Sequence, residues 1–455
     1  MNMSSRKGDL AVLNHYYEEK NSNLIFVYGQ NYLGKMDLVK EFCKGKKFFY
    51  YASRHASAKE QILRMKEDIE SQYRVTVSET SYDSCFSKIK SGDLTKLVVV
   101  IDDVDRILRR DPEFMKSVEK LLERKLYPGT VTILFLSSEI HWVETELDTV
   151  LGKSKGKIAE KLKLEEEGFL DVVRTFPDYS VRESVEVYGV LGGCQSYLDH
   201  WDAKRGLKFN VCKHILSENG FLYKEAQTIL ESELRELSIY YTILGAIASG
   251  KNKLNDLFLY TGFSRPKISV YMKNLMAFDI IEKIESLETG GWENTKKGMY
   301  RIRNTFIQFW FRFVYPHESD LKMMVPESFY TKYIENELST YFEPYFVKVC
   351  REYLELVNEV KQLPVEIVKL GTWIGKQGTI DIVVQNEIRE SLIGKCGWSE
   401  SDFDFQTYEK LLADAQMAKI NPKHVYLFSA SKFDRKLVDL AQKQPNLVLV
   451  DMNHL

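Results

Sequence analysis

The chain has 455 residues, 44% of them hydrophobic and 13% aromatic, and a formal net charge of −2. Such a composition is globular, with room for about three domains and sizeable cores. It excludes a polyanion-binding bias of the whole chain, so any nucleic-acid surface must be local, and no apolar run approaches the roughly 18 residues that a membrane-spanning helix needs. The six cysteines (Cys43, Cys85, Cys194, Cys212, Cys350, Cys396) make no C-x-x-C pair. They fit free thiols in a reducing compartment better than a disulfide framework or a zinc site. Met1 to Leu10 is polar and carries no signal-peptide core, so the expected setting is cytoplasmic, without membrane contact.

In chain order, Leu10, Leu13 and Tyr17 recur at helical spacing. The apolar run Leu24-Ile25-Phe26-Val27-Tyr28 follows and reads as a buried strand. It ends in Gly29-Gln30-Asn31-Tyr32-Leu33-Gly34-Lys35, after which Leu38, Val39 and Phe42 lie on one helical face. Strand, glycine loop and helix in this order read as a phosphate-binding loop, with an ordinary β–α turn as the alternative. Glycines let backbone N–H groups curl around phosphates, the lysine ammonium reaches the outer ones, and the helix N-terminus faces the same anion. Gly29 through Lys35, with Met36 and Asp37, are therefore the expected nucleotide-binding residues. The full pattern has Ser or Thr at Met36 to hold Mg²⁺, and a thioether is a poor ligand for that hard cation.

Phe48-Phe49-Tyr50-Tyr51 reads as a second strand, and Ile62, Met65, Ile69 and Tyr73 as a helix. A third strand, Leu97-Val98-Val99-Val100-Ile101, ends in Asp102-Asp103. Beside a phosphate loop, Asp102 is the expected Mg²⁺ carboxylate and Asp103 the group that polarises an attacking water; two solvated carboxylates closing a strand are the alternative. Pro112 opens a helix carrying Phe114, Val118, Leu121 and Leu122. The strand Val131 to Leu136 ends at Ser137-Ser138, where a hydroxyl either reaches the γ-phosphate or simply ends the strand. Alternating strands and helices predict a parallel α/β sheet with its ligand at the carboxyl ends of the strands.

Three later stretches complete the set: Tyr188-Gly189-Val190-Leu191-Gly192-Gly193, Ile243-Leu244-Gly245-Ala246-Ile247-Ala248-Ser249-Gly250 and Phe309-Trp310-Phe311-Arg312-Phe313-Val314. In these motifs and their order the chain resembles the prokaryotic, archaeal-type AAA ATPases of the P-loop class. The resemblance implies a nucleotide-binding domain over 1–170, a helical lid over 171–235, a winged helix over 236–313, a linker over 314–330 and a restriction-nuclease-like domain over 331–455. The chain departs from that family at Met36, at Asp103 (where the family has Glu) and at Lys157-Ile158, which align with its paired arginines. Arginine fingers supply roughly 10³–10⁵ in rate, and a lysine lacks the bidentate fork. Slow or absent hydrolysis is the expectation, with binding retained.

Within 236–313 the helix opened by Ser264-Arg265-Pro266 places Ile268, Tyr271 and Leu275 inward and Lys267 and Lys273 outward. A hairpin follows, from Ile280-Ile281-Glu282-Lys283 through Gly290-Gly291 and Lys296-Lys297 to Tyr300-Arg301-Ile302-Arg303. This outline either enters a DNA major groove or serves as a protein-contact module. In the last domain Val365-Glu366-Ile367-Val368 and Ile380-Asp381-Ile382-Val383-Val384 read as strands. The resemblance gives Asp381 the role of a metal carboxylate, but Gly394-Lys395-Cys396-Gly397-Trp398 stands where the family has Gly-Glu-Cys-Lys-Trp. A cation replaces the second carboxylate, so the expected domain is an inactive nuclease fold.

The function expected from these residues is ATP or ADP binding with weak or no ATPase activity, Mg²⁺ binding being weakened. Nucleotide state would be coupled to the winged helix and the nuclease-like module, with a protein partner or DNA as the target. The alternative is a non-hydrolysing scaffold or DNA-binding regulator on the same fold.

Overall fold

The run from Leu24 to Tyr28 is apolar at every position, which suits a strand covered on both faces. In the computed structural model it forms β1 (Asn23–Tyr28), buried along its whole length. The structure describes residues 6–89, 96–111, 113–127, 129–287, 298–376 and 378–455. Pro112, the Gly290-Gly291 turn and Lys296-Lys297 lie outside these residues.

The other strands of the first sheet are β2 (Phe48–Ala52), β3 (Lys96–Asp102), β4 (Thr130–Ser137) and β5 (Ile158–Lys163). Their order is β2-β3-β4-β1-β5 and every neighbouring pair is parallel. Parallel neighbours need crossover connections, and the helices Lys35–Cys43, Ala58–Tyr73 and Phe114–Leu122 supply them. Because strand side chains alternate, β1 divides its apolar residues between two cores. Leu24 and Phe26 join Phe49, Phe114, Phe135 and Trp142 on one face; Ile25 and Val27 join Leu38, Phe42, Val98 and Leu134 on the other. With all strands pointing one way, Tyr28, Ala52, Asp102 and Ser137 reach the same edge of the sheet.

The chain divides into two units, residues 1–166 with 194–196 and 277–279, and residues 167–193, 197–276 and 280–455. In the second unit the helix Val181–Leu191 opens on a Ser180/Glu183 capping box and stops at Gly192, φ 64°. Three helices, Leu237–Ala248, Leu254–Thr261 and Arg265–Ala277, precede an antiparallel hairpin of β6 (Ile281–Ile284) and β7 (Met299–Ile302). In the third of these helices Ile268, Met272 and Leu275 are buried, while Tyr271, expected inward, is half-buried and donates its hydroxyl to Glu236.

The stretch 314–330, expected as a linker, is largely helical. Glu318–Met323 and Pro326–Tyr333 are helices, and Pro326 takes the first-turn position where its missing N–H costs nothing. Phe329 and Tyr330 are buried, which anchors the second of them. A long helix, Leu338–Glu359, then leads to a second sheet of β8 (Lys369–Ile374), β9 (Thr379–Gln385), β10 (Ser391–Gly397), β11 (Pro422–Ser429) and β12 (Leu447–Asp451). Its order is β12-β11-β10-β9-β8, parallel across β10, β11 and β12 and antiparallel from β10 through β9 to β8. The strand expected over Val365–Val368 is not one. β8 begins at Lys369: only Val365 of that run is buried, and among the described residues its one backbone bond to β9 is from the Val368 N–H to the Gln385 carbonyl at 3.0 Å, directly before the ladder starts.

Candidate functional site

The loop after β1 is shaped by two glycines. Gly29 has φ 155°, and a Cβ there would stand 2.8 Å from the Leu164 carbonyl oxygen, so only a residue without a side chain fits this turn. Gly34 has φ 73° and forms the N-cap of the helix Lys35–Cys43. Between them Asn31–Leu33 makes one tight helical turn. Lys35 is 6% exposed, and its ammonium donates to the carbonyls of Gly29 at 2.5 Å and Gln30 at 3.0 Å. The cation is thus held inside the loop by the loop's own backbone.

The other loop side chains have separate attachments. Gln30 is buried and its amide donates to the Phe278 carbonyl at 2.5 Å. Asn31 accepts from the Ser138 hydroxyl at 2.5 Å. The Tyr32 hydroxyl donates to Glu166 at 3.3 Å, while the Tyr32 carbonyl accepts from Ser196 at 3.4 Å and Cys194 at 3.3 Å. Leu33 is buried, and half-buried Met36 packs against the core containing Leu38 and Phe42. Asp37 lies 3.6 Å from Lys40 on the helix surface.

The carboxylates at the end of β3 behave differently from one another. Asp102 accepts from the Tyr50 hydroxyl at 2.9 Å and from the Asp103 backbone N–H at 3.0 Å. Asp103 turns into the left-handed region at φ 48° and pairs with Arg106 at 2.8 Å. Burial and the neighbouring Asp102 push the Asp103 carboxyl up, against the pull of Arg106 and Lys35. Because β1 and β3 are parallel in one sheet, the phosphate loop and the acid lie at the same end of it. Asp105, which spacing alone did not single out, is 5% exposed and accepts from the Ser137 hydroxyl at 2.7 Å. Burial pushes its carboxyl up, partly opposed by that hydrogen bond.

Ser137 is accordingly fully buried with its hydroxyl committed to Asp105, and it is Ser138 that meets the loop through Asn31. Lys157 is placed at the amino end of β5, beside the start of β1, where it pairs with Glu123 at 3.3 Å. It stands at the opposite end of the sheet from its own chain's phosphate loop. The donor set fits phosphate better than a divalent metal: a buried ammonium and a glycine turn are present, while Met36 offers only sulfur in an apolar setting. Asp102 is the carboxylate that would hold Mg²⁺.

In the second unit Asp381 on β9 and Lys395 on β10 form an ion pair at 3.0 Å, and the other Asp381 oxygen accepts the Cys396 backbone N–H at 3.1 Å. Arg351 donates to the Asp381 carbonyl at 2.6 Å and to Thr372. Gly397 is small because the Phe403 ring packs 2.8 Å from where a Cβ would be. Lys395 thus neutralises the Asp381 carboxylate. Among the described residues no group of three or more His, Cys, Asp or Glu is placed to hold a metal ion, and no helix is long and apolar enough to cross a membrane.

Residues 310–414 match the family DUF234, described as archaeal and bacterial proteins of unknown function. An uncharacterized protein of Methanocaldococcus jannaschii is 24% identical over 401 residues, 87% of each chain. The Walker-type ATPase of Pyrococcus abyssi superposes with a TM-score of 0.50 at 17% identity, over 68% of this chain and 96% of that one. The ORC2 protein of Aeropyrum pernix, solved in ADPNP–ADP complexes, gives a TM-score of 0.41 at 13% identity, over 70% and 95%. The likeness to the Pyrococcus protein is one of fold; this chain has a parallel-sheet α/β core of the P-loop ATPase type, with helical regions and a separate C-terminal α/β sheet domain of its own.

Proposed function

We propose that this protein binds ATP in the loop Gly29–Lys35 and hydrolyses it slowly or not at all, using the bound nucleotide as a signal. The observation that carries the proposal is the buried Lys35 ammonium, closed in by the Gly29 and Gln30 carbonyls at the sheet edge that also holds Asp102 and Asp103. An entering phosphate chain would take over that ammonium from the carbonyls. Charge-assisted hydrogen bonds to phosphate are roughly twice as strong as the neutral kind. Mg²⁺, when bound, would screen charge between phosphates. Asp102 would hold it, and Met36 would give it no hydroxyl.

Slow turnover follows from three groups. Met36 brings no hydroxyl to Mg²⁺, Ser137 is turned to Asp105, and Lys157 stands at the far end of the sheet. The route by which nucleotide would be sensed is the loop itself, since Gln30 holds the Phe278 carbonyl and Tyr32 receives Cys194 and Ser196. On this reading 236–313 is a winged helix after a helical lid over 171–235, and 331–455 is a nuclease-like domain whose metal site Lys395 has closed. A protein is the favoured partner of the winged helix. Leu259, Tyr260 and Val270 are 71%, 58% and 58% exposed there, and the helix Arg265–Ala277 carries three cations, Arg265, Lys267 and Lys273.

Calorimetric titration with ATP, with and without Mg²⁺, tests the proposal. The wild type should bind in both conditions, and Lys35→Ala should lose binding. Equal affinity in that variant would remove the phosphate loop as the site.

A further inference from the structure

A guanidinium already stands at the phosphate end of the sheet, three residues beyond Asp103. Arg106 lies in the short helix Asp105–Leu108, and one of its terminal nitrogens contacts the Asp103 carboxylate at 2.8 Å and the Ser53 carbonyl at 2.9 Å. The side chains of Arg106 and Asp103 are each 31% exposed, so the pair is open to solvent and to a competing anion. The two arginines that follow it along the chain are engaged elsewhere. Arg109 pairs with Glu139 at 3.0 Å and lies over the Trp142 ring, and Arg110 donates to the Ala56 carbonyl at 2.7 Å.

We propose that Arg106 is the residue that distinguishes a triphosphate from a diphosphate, exchanging the Asp103 carboxylate for the outermost phosphate and so supplying within one chain the guanidinium that Lys157 cannot. The assignment rests on the nucleotide reading of the Gly29–Lys35 loop and names a specificity residue for that site. Its physical basis is competition. A partly exposed carboxylate pair is weak, whereas a terminal phosphoryl group offers more charge and three oxygens to a planar fork. β1 and β3 are parallel in one sheet, so the Gly29–Lys35 loop after β1 and Asp103 after β3 leave the same edge, and Arg106, paired to Asp103, is placed at the end of the sheet that a phosphate chain would occupy. Transfer of Arg106 would also release Asp103, making freedom of the acid conditional on a third phosphate.

Paired titrations of the full chain with ATP and with ADP test the assignment. Arg106→Ala should weaken ATP by about tenfold or more, the scale of a lost charge-assisted contact, and leave ADP within about twofold. Arg106→Lys should recover part of the loss. Asp103→Asn, which removes the competitor and leaves the rest of the site in place, should tighten ATP but not ADP, and the gain should vanish when Arg106 is also replaced. ATP and ADP weakening together in Arg106→Ala, or neither changing, would overturn the assignment, as would a gain in Asp103→Asn that persists without Arg106. A wild type that binds neither nucleotide would instead overturn the reading of the loop, and the assignment with it.

Discussion

At Gly29 a single missing atom sets the course of the loop. A methyl group there would press on the Leu164 carbonyl oxygen at 2.8 Å and on its Cβ at 3.2 Å, both on the backbone side of a neighbouring strand end that cannot rotate away. At Gly34 the space is open, with Asp37 the nearest atom at 3.8 Å, and only the φ of 73° resists a side chain. Gly34→Ala should therefore cost about 1–2 kcal/mol of stability, a left-handed penalty alone. Gly29→Ala should cost more, about 2–4 kcal/mol, because overpacking adds to backbone strain, and it should weaken ATP as well. Thermal unfolding of the two variants checks the order; equal losses would mean the Leu164 contact is soft. These glycines and Lys35 were legible in the sequence because their spacing is fixed by the phosphate they surround. The orientation of Ser137 was not, since a strand residue points inward or outward according to register, and its partner Asp105 comes from another element.

Among the elements, β1, β3 and β4 were legible as uninterrupted apolar runs, which burial on both faces demands, whereas β5 was not, because Glu160, Lys161 and Lys163 leave it no such run. β8 was not: Lys369-Leu370-Gly371-Thr372-Trp373-Ile374 is an edge strand, half-buried along most of its length, so no apolar run marks it. The turn of π-helix Cys212–Leu216 is an element that periodicity also gave no reason to expect. It carries His214, which is buried and whose Nε2 has no hydrogen-bond partner among the described residues. Burial, then the charge of Lys213, pulls the imidazole pKa below its ordinary 6.5. The unfolded chain therefore binds a proton more readily than the folded one as pH falls through about 6.5. The stabilisation held above that pH should be lost on acidification, by at most about 1.4 kcal/mol per pH unit for the one group. Urea unfolding between pH 7.5 and 5.5 measures this slope, and His214→Gln should flatten it. An unchanged slope in that variant would show that other groups, such as His317, whose pKa burial also lowers, carry the dependence.

For the whole molecule, the placement of the site assigns nucleotide stabilisation to one unit. The phosphate loop, Asp102, Asp103, Arg106 and the attached segments 194–196 and 277–279 all belong to the first unit. The Asp381–Lys395 pair belongs to the second. A ligand stabilises what folds around it by mass action, about 2.7 kcal/mol at a hundred times its dissociation constant. For a unit of this size that is a rise of about 5–10 °C in the temperature of unfolding. Calorimetric scans should show ATP raising the transition of the first unit, with Lys35→Ala abolishing the rise. Mg²⁺ alone should move neither transition, because Met36 and the closed Asp381–Lys395 pair leave it weak ligands in both units. A shift with Mg²⁺ alone that Lys395→Ala removes would locate metal binding in the C-terminal sheet, and the reading of that domain as closed would fail. An ATP shift that survives Lys35→Ala would place the nucleotide outside the loop, where the buried ammonium could have no part in holding it.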